Sequence, residues 1–438
     1  MTTTDEDLHD IHATRQRVSI VLAVAVTAPG IFLRVTGFHT TDPLDALLFG
    51  LGIIGAAFLL SWAAETAQLD ISAGLAIAIL ALIAVLPEYA VDLVFAIKGG
   101  NDFEVWGAMC QDPALVGIQE SNCSLALANM TGANRLLIGI GWSEVVFIAW
   151  YRWRKKHGTP FTGIQLERSH SVELAFLSLA CIYSLSLPFK SSITLVDAAV
   201  LVSIFVLYTI RIARAPAEEP HLVGPARWVG GFSTVRRRAS VVGMFLFAAL
   251  VIFLVAEHFA EALVHTGQSL GIGEFFLVQW LAPLASEAPE LLVAGLYAWR
   301  LNTNSALGTL VSSKVNQWTL LVGTLPIAFA VASSSLHGLP IIERQQNEVL
   351  LTAAQSVFAV AILMNLSMSV REGWALFVLF MSQFVLGAVL PEQWHNTKLI
   401  SFSIAYLVLG VGMLALGRKD LPQLMRDGIR TPYSQLSG

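Results

Sequence analysis

Apolar runs of about 18 residues or more recur along the whole chain, and a run of that length can cross a lipid bilayer as a helix. Of the 438 residues, 55% are hydrophobic and only 13% are charged, so these runs are not single anchors on a soluble domain. In lipid, only helices and closed barrels satisfy their backbone hydrogen bonds. Runs such as 193–208 lack the alternation of a barrel strand, so we predict an all-α, polytopic membrane protein.

Hydropathy divides the chain into about twelve predicted membrane-spanning helices. Their expected bounds are 18–37, 43–66, 71–98, 124–151, 169–188, 192–213, 240–266, 272–298, 304–333, 347–370, 373–391 and 397–416. The polar, acidic N-terminus lacks the basic region and cleavage site of a signal peptide, so we expect it to be retained.

Lysine and arginine residues are concentrated in every second loop, which predicts the orientation of the chain. If the N-terminus is cytoplasmic, the basic clusters at 152–156 and 236–238 and the basic tail after residue 417 all lie inside. The few basic residues then left outside are Arg34, Lys98, Lys190, Arg344 and Lys398. We therefore predict a multi-pass protein of the cell (inner or plasma) membrane with both termini in the cytoplasm.

Two carboxylates and two prolines interrupt the apolar run 281–295 (LAPLASEAPELLVAG). Placing a charged residue near the bilayer centre costs at least about 2.5 to 3.5 kcal/mol, so we take Glu287 and Glu290 as candidate functional-site residues. An upstream run, 81–96, carries a similar Pro-Glu pair at Pro87 and Glu88, and Asp92 follows one helical turn later.

The Pro-Glu pairs lie at similar depths in the third and eighth predicted spans, and these two helices run in opposite directions. This arrangement predicts two inverted five-helix repeats, as in many secondary transporters. The expected divisions are a cytoplasmic tail at 1–17, an extra helix and loop at 18–42, a first repeat at 43–213, a cytoplasmic linker at 214–239, a second repeat at 240–391, and a final helix and tail at 392–438.

The motif segments resemble the two alpha-repeats of the cation/calcium antiporter superfamily, which includes the sodium/calcium and proton/calcium exchangers. In that superfamily a GTSLPE-like motif is followed one helix later by GSN. The matching segments here are 86–88 (LPE), 128–134 (ANMTGAN), 285–290 (ASEAPE) and 308–314 (GTLVSSK). The chain is thus identified as similar to a divergent, bacterial-type member over about residues 43–391.

The resemblance implies that Glu88 and Glu290 are the central cation ligands. Proline opens the helix and frees backbone carbonyls, which join carboxylates as hard oxygen ligands for Ca²⁺ or Na⁺. The further candidate ligands are Glu287, Ser286, Asp92, Asn134 and Ser313. Asp92, four residues after Glu88 on one helical face, could instead be a proton site.

Several positions depart from the superfamily pattern, and Glu287 is one of them. Ala84 and Val85 stand where Thr and Ser oxygens are expected, and Lys314 stands at the Asn of GSN. We hypothesise that Lys314 pairs with Glu290, Glu287 or Glu88 and replaces one bound cation; the alternative is that it snorkels toward an interface. The same two alternatives apply to Arg135, which comes directly after Asn134.

These features predict a secondary-active cation antiporter rather than an enzyme, exporting Ca²⁺ in exchange for Na⁺ or H⁺ by alternating access. A monovalent Na⁺/H⁺ exchanger on the same scaffold is the alternative, and a membrane-embedded metal-dependent hydrolase or a non-transporting scaffold is a more distant one. The expected partners are the lipid bilayer and inorganic cations, with no cofactor, nucleotide or nucleic acid. Cys110 and Cys123 share one polar loop and could form a disulfide or remain thiols.

Overall fold

The computed structural model describes residues 5–70, 86–111, 122–215, 222, 224–271 and 274–436, which are mostly helical. Helices α1 to α8 span Asp5–Thr36, Asp42–Ala67, Leu86–Trp106, Leu125–Leu136, Ser143–His157, Ser171–Ser184, Leu195–Ile212 and Pro225–Gly230. Helices α9 to α16 span Thr234–Leu270, Glu274–Trp299, Thr303–Asn316, Val322–Ala332, Glu343–Leu363, Val370–Val389, His395–Leu416 and Leu421–Ile429. Two short antiparallel strand pairs are also present; they join Ile164–Gln165 to Ser367–Met368 and Ser192–Ile193 to Leu339–Pro340. The all-α prediction is confirmed.

Nine helices of the described residues are long and apolar enough to cross a membrane. Helical structure also occupies the predicted fourth span, at 125–157, and the eighth, at Glu274–Trp299. Residues 71–85 of the third predicted span, including Ala84 and Val85, lie outside the described residues. The count of about twelve spans therefore stays a prediction.

The chain divides into two compact units, and each is built from two separate segments. The first unit comprises Met1–Val91 and Ala215–Pro289, and the second comprises Asp92–Arg214 and Glu290–Gly438. Both divisions fall within a helix that carries a Pro-Glu motif, namely α3 and α10.

In the first unit, α2 packs against both α1 and α9 through glycines that let the helices approach closely. A Cβ atom on Gly55 would lie 2.4 Å from the carbonyl oxygen of Ala23 on α1. A Cβ atom on Gly50 would lie 3.0 Å from the ring of Phe259 on α9. Larger side chains at these positions would push the helices apart, so glycine is required for this packing.

Asp70, directly after α2, anchors the start of α9 in the same unit. The guanidinium of Arg237 donates to both carboxylate oxygens, from Nε at 2.7 Å and from Nη2 at 2.8 Å, and Arg238 Nε donates at 3.1 Å. The hydrogen bonds from Arg237 lower the pKa of Asp70 from 3.8 to about 2.

We expect Asp70→Asn to lower the thermal unfolding midpoint of the purified protein by about 2 °C at pH 7. Because the pKa of Asp70 is lowered on folding, its contribution is fully present above about pH 4 and is lost as the pH falls toward 2. The difference between the variant and the parent should therefore shrink between pH 4 and pH 2. A midpoint difference that stays constant over this range would contradict the assignment.

The second unit contains a π-helical turn after each partner helix of the two motifs. The turns span Leu137–Trp142, between α4 and α5, and Gln317–Leu321, between α11 and α12. Trp142 and Trp318 are both fully buried. A π turn inserts an extra residue into a helix and is frequent at functional sites.

The C-terminal helix α16 is held against α6 and α7 of the second unit. Arg168 Nη2 donates to Asp427 at 2.8 Å, and Arg211 Nε donates to the carbonyl oxygen of Gly428 at 3.0 Å. A Cβ atom on Gly428 would lie 2.4 Å from the carbonyl oxygen of Ser171, so the backbones are in close contact.

Cys110 and Cys123 form a disulfide in this unit, with their Cα atoms 6.0 Å apart, which decides between the two alternatives of the sequence analysis. Cys181 is a buried free cysteine.

Candidate functional site

In the first unit, two of the predicted carboxylate ligands are completely shielded from solvent. Glu88 lies in the first turn of α3, directly after Pro87, and Glu287 lies in the middle of α10; neither side chain is exposed. A carboxylate without access to water must be balanced by a proton, a cation or polar neighbours. Both residues therefore remain candidates for cation or proton binding.

Ser286, the residue before Glu287, is also buried, and its hydroxyl donates back to the carbonyl oxygens of Ala282 at 3.2 Å and Pro283 at 3.3 Å. The lone pairs of its oxygen stay available, so the side chain can still act as a ligand. Pro289 lacks a backbone N–H, and the Ala285 carbonyl therefore loses its usual helical donor. These oxygens extend the set of hard ligands that α10 can offer.

In the second unit, Asp92 of α3 is paired with an amide on α4. Asn129 Nδ2 donates to Asp92 Oδ1 at 2.9 Å, and both side chains are fully buried. Among the described residues, Asp92 Oδ2 and Asn129 Oδ1 make no hydrogen bond. Each of these side chains therefore retains an oxygen that can receive a cation or, for Asp92, a proton. Asn129 was not among the predicted ligands, because a sequence cannot show which amide faces which carboxylate.

Glu290, on the part of α10 that belongs to the second unit, is half-buried and faces Ser313 of α11. This approach is looser than a regular hydrogen bond, since the Ser313 hydroxyl and Glu290 Oε2 are both buried without a regular hydrogen bond in the described part of the chain. The structure therefore brings these two predicted ligands together on adjacent helices. Oxygen atoms without close hydrogen bonds are suited to coordinate a hard cation.

Lys314 and Asn134, both predicted site residues, contact each other directly. Lys314 Nζ donates to the side-chain oxygen of Asn134 at 2.7 Å and to its backbone oxygen at 3.1 Å. The ammonium also lies 4.6 Å from the ring centroid of Trp318, within range of a cation–π interaction. Lys314 is fully buried, so the snorkelling alternative is wrong. Its pairing with Glu290, Glu287 or Glu88 stays a prediction.

Arg135, next to Asn134, forms a buried ion pair that the sequence analysis did not find. Its Nη2 atom lies 2.6 Å from Glu348 Oε2 on α13, and both side chains are nearly inaccessible. His395 Nε2, at the start of α15, lies 3.3 Å from the other oxygen of Glu348. A buried arginine needs an acidic partner, but several carboxylates lie within the predicted spans, so the sequence alone does not single out Glu348.

Within the described residues, no group of three or more histidine, cysteine, aspartate or glutamate side chains forms a ready-made metal cluster. The oxygens near Asp92 and Glu290 come instead from a mixture of carboxylate, amide and hydroxyl groups. Such mixed oxygen sets suit Ca²⁺ and Na⁺ better than zinc, which favours nitrogen and sulfur ligands.

A family model described as sodium/calcium exchanger protein matches residues 46–213 and 240–388, which is well over half of the chain. The chain belongs to this exchanger family. It is therefore a multi-pass membrane protein of a transporter family, in agreement with the superfamily resemblance found in its motifs.

Solved structures support the same family. One match is the crystal structure of the H⁺/Ca²⁺ exchanger CAX, whose sequence is 40% identical to that of this exchanger. The two structures have a TM-score of 0.85, and the match covers 95% of this chain and 98% of that one. The structure of native YfkE is 13% identical with a TM-score of 0.57, covering 90% of this chain and 100% of that one, and it supports the fold alone. No match was found among curated proteins.

Proposed function

We propose that this exchanger moves Ca²⁺ across the cell membrane in exchange for protons, by alternating access. The observation that carries the proposal is the 40% identity to an H⁺/Ca²⁺ exchanger over 95% of the chain. The buried carboxylates fit this exchange, because protonation of a carboxylate weakens its binding of Ca²⁺, and bound Ca²⁺ disfavours protonation. Competition between the two at one site is sufficient to couple their movements.

The proposed roles are those that the superfamily resemblance implies. Glu88 and Glu290 are the central ligands, and Glu287, Ser286 and Ser313 are supplementary ones. Asp92, fully buried and bonded to Asn129, is either a further ligand or a proton carrier. We also propose that both termini are cytoplasmic, which follows from the distribution of basic residues. The exchanger needs no cofactor or nucleotide in this scheme, since the proton gradient supplies the free energy.

Proteoliposomes provide the test. Vesicles with an acidic interior are expected to accumulate ⁴⁵Ca²⁺ from a neutral medium, and an ionophore that collapses the pH gradient should abolish the uptake. A parallel sample carries an outward Na⁺ gradient at equal pH. Ca²⁺ uptake that responds only to the Na⁺ gradient would show that the counter-ion is Na⁺ and not the proton. Proton-driven ²²Na⁺ uptake without Ca²⁺ transport would instead indicate the monovalent exchanger, and no uptake of either ion would contradict the antiporter proposal.

A further inference from the structure

Asn134 and Lys314 occupy equivalent positions in the two repeats. Asn134 lies on α4 three residues before the π turn that begins at Leu137, and Lys314 lies on α11 three residues before the π turn that begins at Gln317. The two equivalent residues are hydrogen-bonded to each other in the second unit. One repeat therefore supplies oxygens at this position, and the other supplies a positively charged group.

Two oxygens of Asn134 are of the kind that bind a cation together. The side-chain amide oxygen and the backbone carbonyl oxygen converge on a single point, which the Lys314 nitrogen occupies at 2.7 and 3.1 Å. Both residues are completely buried, so water does not compete strongly for these oxygens. Carbonyl and amide oxygens are hard ligands, which Na⁺ and Ca²⁺ prefer.

The position of Lys314 is fixed from several directions. Helix α11 begins at a defined N-cap, where Asn302 Oδ1 accepts a hydrogen bond from the backbone N–H of Ser305. Just beyond the other end of the helix, the ring of Trp318 in the π turn lies against the ammonium. The nitrogen is thus held by Trp318 as well as by Asn134.

We propose that the ammonium group of Lys314 is a tethered cation that fills the Asn134 oxygens and keeps Na⁺ from binding there. A second monovalent cation at this point would stand at contact distance from a like charge in a buried environment, where repulsion is poorly screened. Lys314 is then a specificity-determining residue that makes the exchanger indifferent to Na⁺ and leaves protons as its counter-ion. This inference rests on the proposed function and assigns its ion selectivity to one side chain.

The test compares Lys314→Asn and Lys314→Gln with the parent protein and with Lys314→Arg, which keeps the positive charge. A matched control is Thr309→Asn, which places the same amide on an exposed position of the same helix. Two readouts are used at constant ionic strength, with K⁺ replacing Na⁺. The first is the Na⁺-specific shift of the thermal unfolding midpoint, and the second is inhibition by Na⁺ of Ca²⁺ uptake driven by a pH gradient.

The parent, Lys314→Arg and Thr309→Asn should not distinguish Na⁺ from K⁺. Lys314→Asn and Lys314→Gln should gain a Na⁺-specific response, with at least about tenfold higher apparent Na⁺ affinity, because a like charge has been removed from the site. Folded neutral variants that remain as indifferent to Na⁺ as the parent would overturn the inference. A parent protein that itself responds to Na⁺ would also overturn it, and this measurement requires no variant to fold.

The two proposals fail in different ways. If the parent shows no Ca²⁺ uptake under a pH gradient, the proposed function fails, while the Na⁺-specific thermal shift still tests Lys314. If the parent exchanges Ca²⁺ for protons but the folded neutral variants gain no Na⁺ response, the function stands and the role of Lys314 is refuted.

Discussion

Glu290→Gln is expected to reduce proton-driven Ca²⁺ uptake by about 100-fold or more while leaving the protein folded. The substitution keeps the shape of the side chain but replaces a charged oxygen by a neutral amide, and Ca²⁺ affinity depends strongly on the number of charged ligands. Glu290 is half-buried on α10, and its Oε2 atom makes no regular hydrogen bond among the described residues. The substitution should therefore reduce the transport rate far more than it reduces the stability of the protein.

The measurement is the initial rate of ⁴⁵Ca²⁺ uptake into proteoliposomes, with the amount of reconstituted protein checked for each variant. Glu261→Gln is the matched control, because it makes the same change in a carboxylate of helix α9 that lies outside both motifs. It should retain uptake within about twofold of the parent, the range of an ordinary neutral substitution. A Glu290→Gln protein that transports as well as Glu261→Gln would remove Glu290 from the ligand set.

Glu348→Gln is expected to lower the free energy of unfolding by about 3–5 kcal/mol, because it leaves the buried charge of Arg135 without its counter-charge. The Arg135–Glu348 pair has a nitrogen–oxygen distance of 2.6 Å, and the two side chains are only 2% and 1% exposed. An amide still accepts a hydrogen bond, but it does not neutralise the guanidinium. Equilibrium unfolding in mixed detergent micelles would measure the loss.

Two further variants separate the lost ion pair from a general effect of substitution in α13. Glu343→Gln changes an exposed glutamate at the start of the same helix, and its effect should stay within about 0.5 kcal/mol. The double variant Arg135→Met with Glu348→Leu removes both charges, so it should recover most of the stability. If Glu348→Gln costs less than about 1 kcal/mol, the ion pair does not carry the stability that its burial implies.

The class of fold and the motif helices could be predicted from the sequence because both depend on local signals. Long apolar runs specify membrane helices, and a carboxylate beside a proline within such a run is conspicuous at any position. Glu88 and Glu290 were selected in this way, and Asp92 was selected because it follows Glu88 by one helical turn. The family resemblance then related the motifs of the two halves to each other. Each motif is short, but their order along the chain is characteristic of the superfamily.

The partners of these residues could not be predicted, because they come from helices far away in the chain. Asn129 is 37 residues from Asp92, and Glu348 lies in a helix whose own sequence gives no sign of an arginine opposite. Lys314 was recognised as exceptional, but its partner was sought among the glutamates. The structure shows that this partner is Asn134, 180 residues away. Such a contact depends on the packing of whole helices, which short sequence motifs do not specify.

The two π-helical turns carry a consequence for the history of the chain. Each holds an extra residue, and each begins at the same distance after its motif position, at Leu137 and at Gln317. If the two predicted repeats arose by duplication, a single insertion in the ancestral half accounts for both turns, whereas separate insertions would have to coincide. On that account the side chains at Asn134 and Lys314 diverged on a backbone that the two halves already shared.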